Sequence, residues 1–239
     1  MVAVNKKIIT RTKKLSRDLE KTRSMIPDSL FVYNPLTYAL DMHLAYIEKY
    51  AIENTKILFL GMNPGPFGMT QNGIPFGEKS FVKDYFHFDY EIQKPKHEHP
   101  SRPIQGLDCS RSEVSGKRFW SLMRDHYGNS NSLMGQVYVA NYCPLVFLEK
   151  TKTAKNVTPD KLPLDVRIII SEICDEYLWD TQKILKCQNL IGIGKYAEKK
   201  LKNETYPYSS ILHPSPASPL ANKGWSERAS AKLEELNIW

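Results

Sequence analysis

The chain has 239 residues, no long hydrophobic run and few cysteines. No apolar run approaches the length of about 18 residues that a membrane-spanning helix needs, so we exclude such a helix. The four cysteines, Cys109, Cys143, Cys174 and Cys187, show no Cys-x-x-Cys spacing and follow no secretory leader. We therefore expect reduced intracellular thiols and no zinc or iron–sulfur site. The HEH motif at 97–99 has no third ligand at helical spacing, so we expect no metal there either.

Acidic residues are outnumbered by basic ones, 26 Asp and Glu against 33 Lys and Arg, which gives a net charge of +7 and an isoelectric point near 9.1. This balance favours a polyanionic partner, although solvated lysine-rich surfaces produce the same balance. Apolar residues make up 41% of the chain, which is enough for a sizeable core. One α/β domain accounts for this length.

The basic excess is strongest at the start of the chain. Residues 1–24 contain eight Lys or Arg and two acidic residues, without a capped amphipathic pattern. We predict a mobile basic arm over 1–24 and one folded domain over 25–239. The arm has two interpretations that stay open: a solvated tail, or an electrostatic tether and nuclear-import patch.

Beyond residue 24, short apolar runs alternate with segments of helical periodicity. This alternation predicts a three-layer α/β/α fold around a central, mainly parallel four-stranded sheet. The predicted strands are 56–60, 137–140, 190–193 and 208–212, and the predicted helices are 36–51, 112–126, 163–186, 195–202 and 225–236. About fifty residues after the first strand have no regular pattern, and a loop of that length in a compact domain is usually functional or mobile.

Three polar residues, Asn63, Asn141 and His213, each follow the carboxyl end of a predicted strand. Ligands of open parallel sheets bind in the crevice outside these carboxyl ends. Turns rich in Gly and Pro surround Asn63 and His213, and such turns hold a side chain in place. The sequence therefore predicts that the three side chains converge on one small, stiff pocket.

Five segments carry a family resemblance. They are GMNPGPFGMTQNGIPFGE at 61–78, SEVSGKRFW at 112–120, NYCPLVFL at 141–148, NVTPDKLP at 156–163 and HPSPASPLANKGW at 213–225. In this order they resemble the single-strand-selective monofunctional uracil-DNA glycosylase family, from about Tyr33 to the C-terminus. The resemblance implies a uracil-DNA glycosylase fold over residues 25–239. It also implies hydrolysis of the bond that joins a uracil-type base to deoxyribose.

The resemblance assigns roles to residues of the predicted pocket. His213 would donate a hydrogen bond to uracil O2 as negative charge develops on the base. Asn63 would position the attacking water. Phe76 would stack on the base, which must leave the DNA helix before it can react. Asn141 would bind the edge of uracil, because an amide offers a donor for O4 and an acceptor for N3–H.

Met62 and Gly65 complete the implied substrate-binding set. Relatives restricted to uracil have Gly-Gln-Asp-Pro-Tyr at this place, so Asn63 replaces Asp and Gly65 replaces Tyr. The missing ring opens space near C5 of the base. Oxidised pyrimidines such as 5-hydroxymethyluracil are therefore expected to be substrates beside uracil.

Two further segments are predicted to contact DNA. The basic loop at 150–161 would bind phosphate groups. The segment 214–220 resembles a wedge that enters the duplex, but Ala217 stands where an Arg is usual and Leu220 where a Gln is common, so Leu220 is the expected apolar wedge. The predicted DNA-binding residues are Lys150, Lys152, Lys155, Asn156, Pro214, Ser215, Pro216, Ala217, Leu220 and Lys223.

The expected protein is a monomeric nuclear repair enzyme that acts on single- and double-stranded DNA without a metal or cofactor. Apart from Lys223, no lysine stands where a Schiff-base nucleophile would, so the expected product is an abasic site in an unbroken strand.

Two other functions stay open. GIGKYA at 192–197, with Gly192 and Gly194, matches a dinucleotide-binding G-x-G-x-x-A pattern. However, no acidic residue ends the next strand to bind a ribose. A non-catalytic nucleic-acid-binding module would account for the charge, but not for the three convergent polar residues.

Overall fold

A computed structural model describes residues 3–239 of the chain. Its strands are β1 Leu30–Tyr33, β2 Ile57–Gly61, β3 Val137–Asn141, β4 Val146–Glu149, β5 Asn156–Val157, β6 Asn189–Ile193 and β7 Tyr208–Ile211. Its helices are α1 Val4–Lys21, α2 Pro35–Tyr38, α3 Leu40–Tyr50, α4 Met69–Asn72, α5 Val114–Tyr127, α6 Leu164–Leu185, α7 Lys195–Leu201 and α8 Trp225–Glu235. Within the described residues, none of these helices is both long and apolar enough to cross a membrane.

The central sheet has four parallel strands in the order β3-β2-β6-β7. All residues of β2 are buried, as expected for a strand that is covered on both faces. Phe59 of β2 packs edge-on against Phe119 of α5, with ring centroids 5.3 Å apart. Its neighbours Leu58 and Leu60 point to the opposite face, beside Leu178 of α6. The sheet therefore lies between two helical layers, and the predicted three-layer fold is confirmed.

The predicted strands of the central sheet and the predicted helices are confirmed. Most of their ends lie within two residues of the predicted positions. A second, three-stranded antiparallel sheet in the order β1-β4-β5 was not predicted. Its strands were missed because β1 and β4 have four residues each and β5 has two. Such short strands give no clear alternation. This sheet shows that the predicted basic loop at 150–161 is partly a β-hairpin.

The predicted mobile arm is wrong where the structure describes it; residues 1–2 lie outside the described part. Helix α1 buries Ile8, Leu15 and Leu19 and packs against α3 and α6. The apolar stripe is hard to recognise because Thr12 and Ser16, both buried, occupy two of its positions. The folded domain therefore begins at α1 and not at residue 25.

The basic side chains of α1 bind acidic residues of α6. Arg11 contacts Asp180 at 2.6 Å, and Lys14 contacts Glu176 at 2.9 Å. Thr12 forms a hydrogen bond of 2.9 Å with the hydroxyl of Tyr177. Part of the positive charge assigned to a tether is thus used within the fold, although exposed ion pairs of this kind contribute little stability.

Candidate functional site

A cavity of about 420 Å³ opens at the carboxyl ends of β2, β3 and β7. This volume is in the range of small-molecule sites. The structure brings the three convergent polar residues, Asn63, Asn141 and His213, together in its wall. The other predicted site residues that line it are Met62, Gly65, Phe76, Asn156, Ser215 and Pro216.

Asn63 lies two residues beyond β2. The backbone pairing of β2 and β3 continues past the strands, with Tyr142 N donating to Gly61 O at 2.9 Å and Cys143 N donating to Met62 O at 2.9 Å. The Asn63 Nδ2 donates to the carbonyl of Leu145 at 3.4 Å. Its Oδ1 is buried and has no hydrogen-bond partner among residues 3–239. Asn63 lines the cavity, so its unpaired oxygen is a candidate acceptor for a water molecule.

His213 lies two residues beyond β7. Its Nδ1 accepts a hydrogen bond of 3.1 Å from the backbone N–H of Ser215. Burial lowers the pKa of His213 to about 4, so the imidazole is neutral near pH 7. Because Nδ1 is an acceptor, the proton of the neutral ring is on Nε2. His213 therefore offers the cavity an uncharged N–H donor.

Asn141 is the last residue of β3 and is paired in register with Gly61. A side chain at position 61 would overlap Asn141 Oδ1 and lie 2.6 Å from Cε2 of Phe76. Only glycine allows this close approach. The Asn141 Nδ2 lies 3.2 Å from the sulfur of Met69. The amide is thus held with its oxygen toward Gly61 and its nitrogen toward Met69.

Phe76 is nearly buried and has a left-handed backbone, with φ of 55°. Such a conformation is strained for an aromatic residue and needs support from its surroundings. Glu78 N donates to Phe76 O at 2.8 Å, and the Phe119 ring lies 5.3 Å from the Phe76 ring. A Cβ on Gly116 of α5 would overlap Phe76 O, so α5 packs directly on this backbone. The tertiary structure therefore fixes the aromatic wall.

Residues 111–115 also line the cavity, although they were not predicted to contribute to it. Glu113 caps α5, since its carboxylate accepts from Ser115 N at 3.3 Å. Burial raises the pKa of Glu113, against the opposing effect of the hydrogen bonds from Ser115. Arg111 lies 4.5 Å over the ring of Phe67 at the cavity wall. The only signal was SEVSGKRFW, in which Glu113 has the position of an ordinary helix cap.

The predicted DNA-binding lysines lie outside the cavity wall. Lys150, Lys152 and Lys155 are exposed around the β4–β5 hairpin, which leads into Asn156 in the cavity wall. The carbonyl of Lys152 accepts from Ser101 Oγ at 2.8 Å, which ties the hairpin to the long loop. These side chains are available to phosphate groups beside the cavity.

The predicted wedge is a fixed turn. Arg118 of α5 donates to Pro214 O at 3.0 Å and to Asn222 Oδ1 at 2.9 Å, and Asn222 donates to Pro216 O at 2.9 Å. Leu220 is 53% exposed on this turn. Of the remaining predicted residues, Pro214 is buried, whereas Ala217 and Lys223 are exposed and do not line the cavity. Because Lys223 does not line the cavity, it is not placed to act as a nucleophile on a bound base.

Packing accounts for the two glycines of the alternative dinucleotide pattern. A Cβ on Gly192 would lie 2.6 Å from the backbone nitrogen of Glu198, so this glycine lets α7 approach β6. Gly194 has φ of 89°, and a Cβ there would lie 3.0 Å from Cβ of His213. Both glycines therefore support the position of α7 and His213.

Comparisons with known proteins identify a family. The model of the uracil DNA glycosylase superfamily matches residues 47–237. The chain is 40% identical over 213 residues to the single-strand selective monofunctional uracil DNA glycosylase of Bos taurus, covering 87% of this chain and 78% of that protein. The Rattus norvegicus protein of the same description is also 40% identical over 213 residues, with 87% and 76% covered. The crystal structure of wild-type Pedobacter heparinus SMUG2 matches over 100% of both chains with a TM-score of 0.72 and 19% identity, which shows the fold.

Proposed function

Because the chain belongs to the uracil DNA glycosylase superfamily, we propose that it is a monofunctional glycosylase that excises uracil from DNA and leaves an abasic site. One observation carries this proposal. A neutral His213 donor and a free Asn63 acceptor share a cavity with Asn141 and Phe76. This set contains the groups needed to hold a flipped base and to break its bond to the sugar.

The base would enter the cavity after leaving the DNA helix, with one face on the Phe76 ring. Asn141 Oδ1 would accept from N3–H of uracil, and Asn141 Nδ2 would donate to O4. Cytosine presents the opposite pattern at this edge, so it would leave buried polar groups unpaired. The close packing of Gly61 against Asn141 and Phe76 supports this assignment, because it prevents the amide from moving away.

The bond between N1 of the base and C1′ of the sugar would break with its electrons moving to the base. The Nε2–H of His213 would donate to O2, where negative charge grows, as a donor does in an oxyanion hole. Asn63 Oδ1 would accept a hydrogen bond from the water that adds to C1′, and the proton that this water loses would neutralise the uracil anion. An amide is not a strong base, so this arrangement favours a step in which the sugar is already cationic when water arrives.

We propose that the same cavity accepts 5-hydroxymethyluracil and related oxidised pyrimidines, in single- and double-stranded DNA. Gly65 carries no side chain beside the cavity, which supports a pocket open at C5. The exposed lysines of the hairpin and the Leu220 turn support contacts to the DNA backbone and the base stack. We further propose that the protein is a monomer and that it works in the nucleus.

The direct test is incubation of the purified protein with single-stranded oligonucleotides that contain one uracil, without metal or cofactor. We expect free uracil and a strand that breaks only after alkali treatment. Binding without excision would identify a non-catalytic module. A requirement for a dinucleotide would support the alternative based on Gly192 and Gly194.

Gly65→Tyr is expected to lower excision of 5-hydroxymethyluracil by roughly tenfold or more relative to uracil, in the range for one misplaced group in a tight pocket. The new Cβ would lie 2.8 Å from Oε2 of Glu113, whose flexible end must move aside, and the ring would then fill the C5 side. Single-turnover rates on both bases in single strands give the ratio. Gly65→Ala is the control that adds only the Cβ, and equal losses on both bases in Gly65→Tyr would refute the steric argument.

Leu220→Ala is expected to slow uracil excision from duplex DNA by roughly tenfold while changing the single-strand rate little. Flipping a base out of a duplex costs a few kcal/mol, and an inserted side chain offsets part of that cost. Ala217→Arg should raise the duplex rate. The measurement is the ratio of duplex to single-strand rates at fixed salt.

Two controls accompany this measurement. Ile168→Ala removes an apolar side chain that is 48% exposed on α6, away from the cavity, and should leave both rates unchanged. Lys152→Ala removes a predicted phosphate contact and should lower both rates together. An unchanged ratio in both Leu220→Ala and Ala217→Arg would mean that the turn is not the wedge.

A further inference from the structure

The outer face of helix α1 carries basic side chains that the proposed excision does not use. Successive residues of an α-helix are rotated by about 100°, so residues 6, 10, 13 and 17 lie on one side of it. They are Lys6, Thr10, Lys13 and Arg17, and all four are exposed. We call these four residues the basic stripe. It lies opposite the buried side chains of Ile8, Leu15 and Leu19, so the helix has one apolar face in the fold and one basic face in solvent.

The positive charge of the basic stripe is not neutralised by neighbouring acidic residues. Among residues 3–239, no acidic side chain forms a salt bridge with Lys6, Lys13 or Arg17. The two acidic residues of α1, Asp18 and Glu20, form ion pairs with basic residues outside the stripe. The acidic residues of α6 that contact α1 also bind residues outside the stripe. Three positive charges are therefore open to a partner.

The direction of α1 places one end of the basic stripe on the cavity side of the molecule. Two ion pairs show that α1 runs antiparallel to α6, and these pairs are Arg11–Asp180 and Lys14–Glu176. Helix α6 begins shortly after Thr158, which lies in the cavity wall. The carboxyl end of α1 therefore lies on the same side of the sheet as the cavity. Arg17 is the residue of the stripe nearest to that end.

The segment after α1 is bound to the β4–β5 hairpin, whose exposed lysines are the predicted phosphate contacts beside the cavity. The backbone N–H of Lys150 donates to Ser29 O at 2.9 Å. Strand β1, which follows Ser29, pairs with all four residues of β4. Arg23 Nη1 donates to Val32 O of β1 at 3.0 Å. The hairpin therefore links the cavity to the carboxyl end of α1 through direct contacts.

The basic stripe matches the chemistry of duplex DNA better than that of a protein or a membrane. It contains no apolar side chain, whereas the core of a protein–protein interface and a membrane-binding helix both require apolar residues. Its charges are held on a packed helix, and the backbone of a duplex is likewise a regular row of charges. Helix α1 has 18 residues and is about 27 Å long, which is the length of about eight base pairs. A single duplex can therefore contact the whole stripe.

We propose that the basic stripe of α1 binds the sugar–phosphate backbone of duplex DNA outside the segment that enters the cavity, an inference that rests on the proposed glycosylase function. The stripe contacts phosphate groups and no base edges, so it binds duplex DNA of any sequence and leaves the choice of the excised base to the cavity. Electrostatic contacts of this kind let a protein slide along DNA without leaving it. The stripe thus holds the enzyme on the duplex between one uracil and the next.

Binding of undamaged duplex DNA, measured over a range of salt concentrations, tests this surface without filling the cavity. The double variant Lys13→Gln/Arg17→Gln removes two charges, and glutamine is a good helix former, so α1 should stay folded. We expect binding to weaken roughly 2- to 30-fold, as for two exposed charge pairs. The slope of log affinity against log salt should flatten by about 0.9 for each lost phosphate contact. The single-turnover rate on a short single-stranded uracil oligonucleotide, at saturating protein, should stay at the wild-type value.

Two control variants separate the stripe from a general effect of charge. Lys199→Gln/Lys202→Gln removes two charges from exposed residues outside α1 and the cavity wall, and should bind undamaged duplex like the wild-type protein. Lys13→Arg/Arg17→Lys keeps both charges and should also bind like the wild-type protein. If either control weakens binding as much as Lys13→Gln/Arg17→Gln, the proposal is overturned.

The proposal and the proposed function fail in different ways. Wild-type protein that excises uracil, together with unchanged duplex affinity and salt slope in Lys13→Gln/Arg17→Gln, refutes only the role of the basic stripe. In that case the exposed face of α1 serves another partner or none. Wild-type protein without uracil excision refutes the proposed function itself.

Discussion

Replacing His213 or Asn63 by alanine is expected to lower the single-turnover rate of uracil excision by roughly 10²-fold or more, the loss typical for one oxyanion-type donor. His213→Ala removes the uncharged Nε2–H donor from the base. Asn63→Ala removes the free Oδ1 acceptor for water. His213→Ala removes the bond to Ser215 N, but the 214–220 turn keeps its bonds to Arg118 and Asn222, and neither change touches the exposed lysines. DNA binding should therefore remain close to that of the wild-type protein.

The measurement combines single-turnover rates with binding of an uncleavable uracil analogue in DNA. His126→Ala and Asn131→Ala are the matched controls, since both residues are exposed and lie outside the cavity wall. A variant of Asn63 or His213 that cleaves as fast as its control would remove that residue from the mechanism. Equal losses of binding and cleavage would indicate a binding role alone.

The pH dependence gives an independent check on His213. Burial lowers its pKa to about 4, so the neutral form is present throughout the neutral and mildly acidic range. The excision rate should therefore show no step near the ordinary histidine pKa of about 6.5. It should fall only as the pH approaches the lowered value, where a proton on Nδ1 would oppose the Ser215 N–H. A step near the ordinary value in the wild-type protein, absent from His213→Ala, would contradict the neutral donor.

Gly116→Ala is expected to destabilise the protein by about 1–3 kcal/mol or more, the usual cost of overpacking. The added Cβ would overlap Phe76 O and lie 2.9 Å from the Phe76 carbonyl carbon and 3.2 Å from Glu78 N. All three contacts are backbone atoms, which cannot swing aside as a side chain can. Displacement of Phe76 from its left-handed conformation should also abolish most uracil excision.

Helix propensity predicts the opposite result. Alanine is about 1 kcal/mol more favourable than glycine in a helix interior, so propensity alone predicts that Gly116→Ala stabilises α5. Lys117→Ala, at an exposed neighbouring position of the same helix, is the control. Urea midpoints and excision rates of both variants decide the outcome. A Gly116→Ala protein that is more stable and fully active would disprove the close packing of α5 on Phe76.

The pattern of strands and helices was predictable because apolar periodicity reflects burial directly. Helix α1 was not predicted, because Thr12 and Ser16 interrupt its apolar stripe and form hydrogen bonds within the fold. Hydroxyl side chains are not counted as apolar, so burial achieved through hydrogen bonds leaves no periodic signal. The small sheet of β1, β4 and β5 was missed for a related reason, since its short strands are defined by their partners.

By itself, the sequence determined the parallel sheet and the place of Asn63, Asn141 and His213 at its carboxyl edge, because strand order along the chain and turn residues are local properties. Only the tertiary structure decided the state of these groups. Burial makes His213 neutral. The Leu145 carbonyl accepts from Asn63 Nδ2, so only Asn63 Oδ1 stays unpaired. Helix α5 holds Phe76 in its strained conformation. It also placed Glu113 across Gly65, a contact between residues 48 positions apart that no local pattern encodes. Long-range packing fixes dielectric environment and orientation, and these two properties turn ordinary polar residues into a specific site.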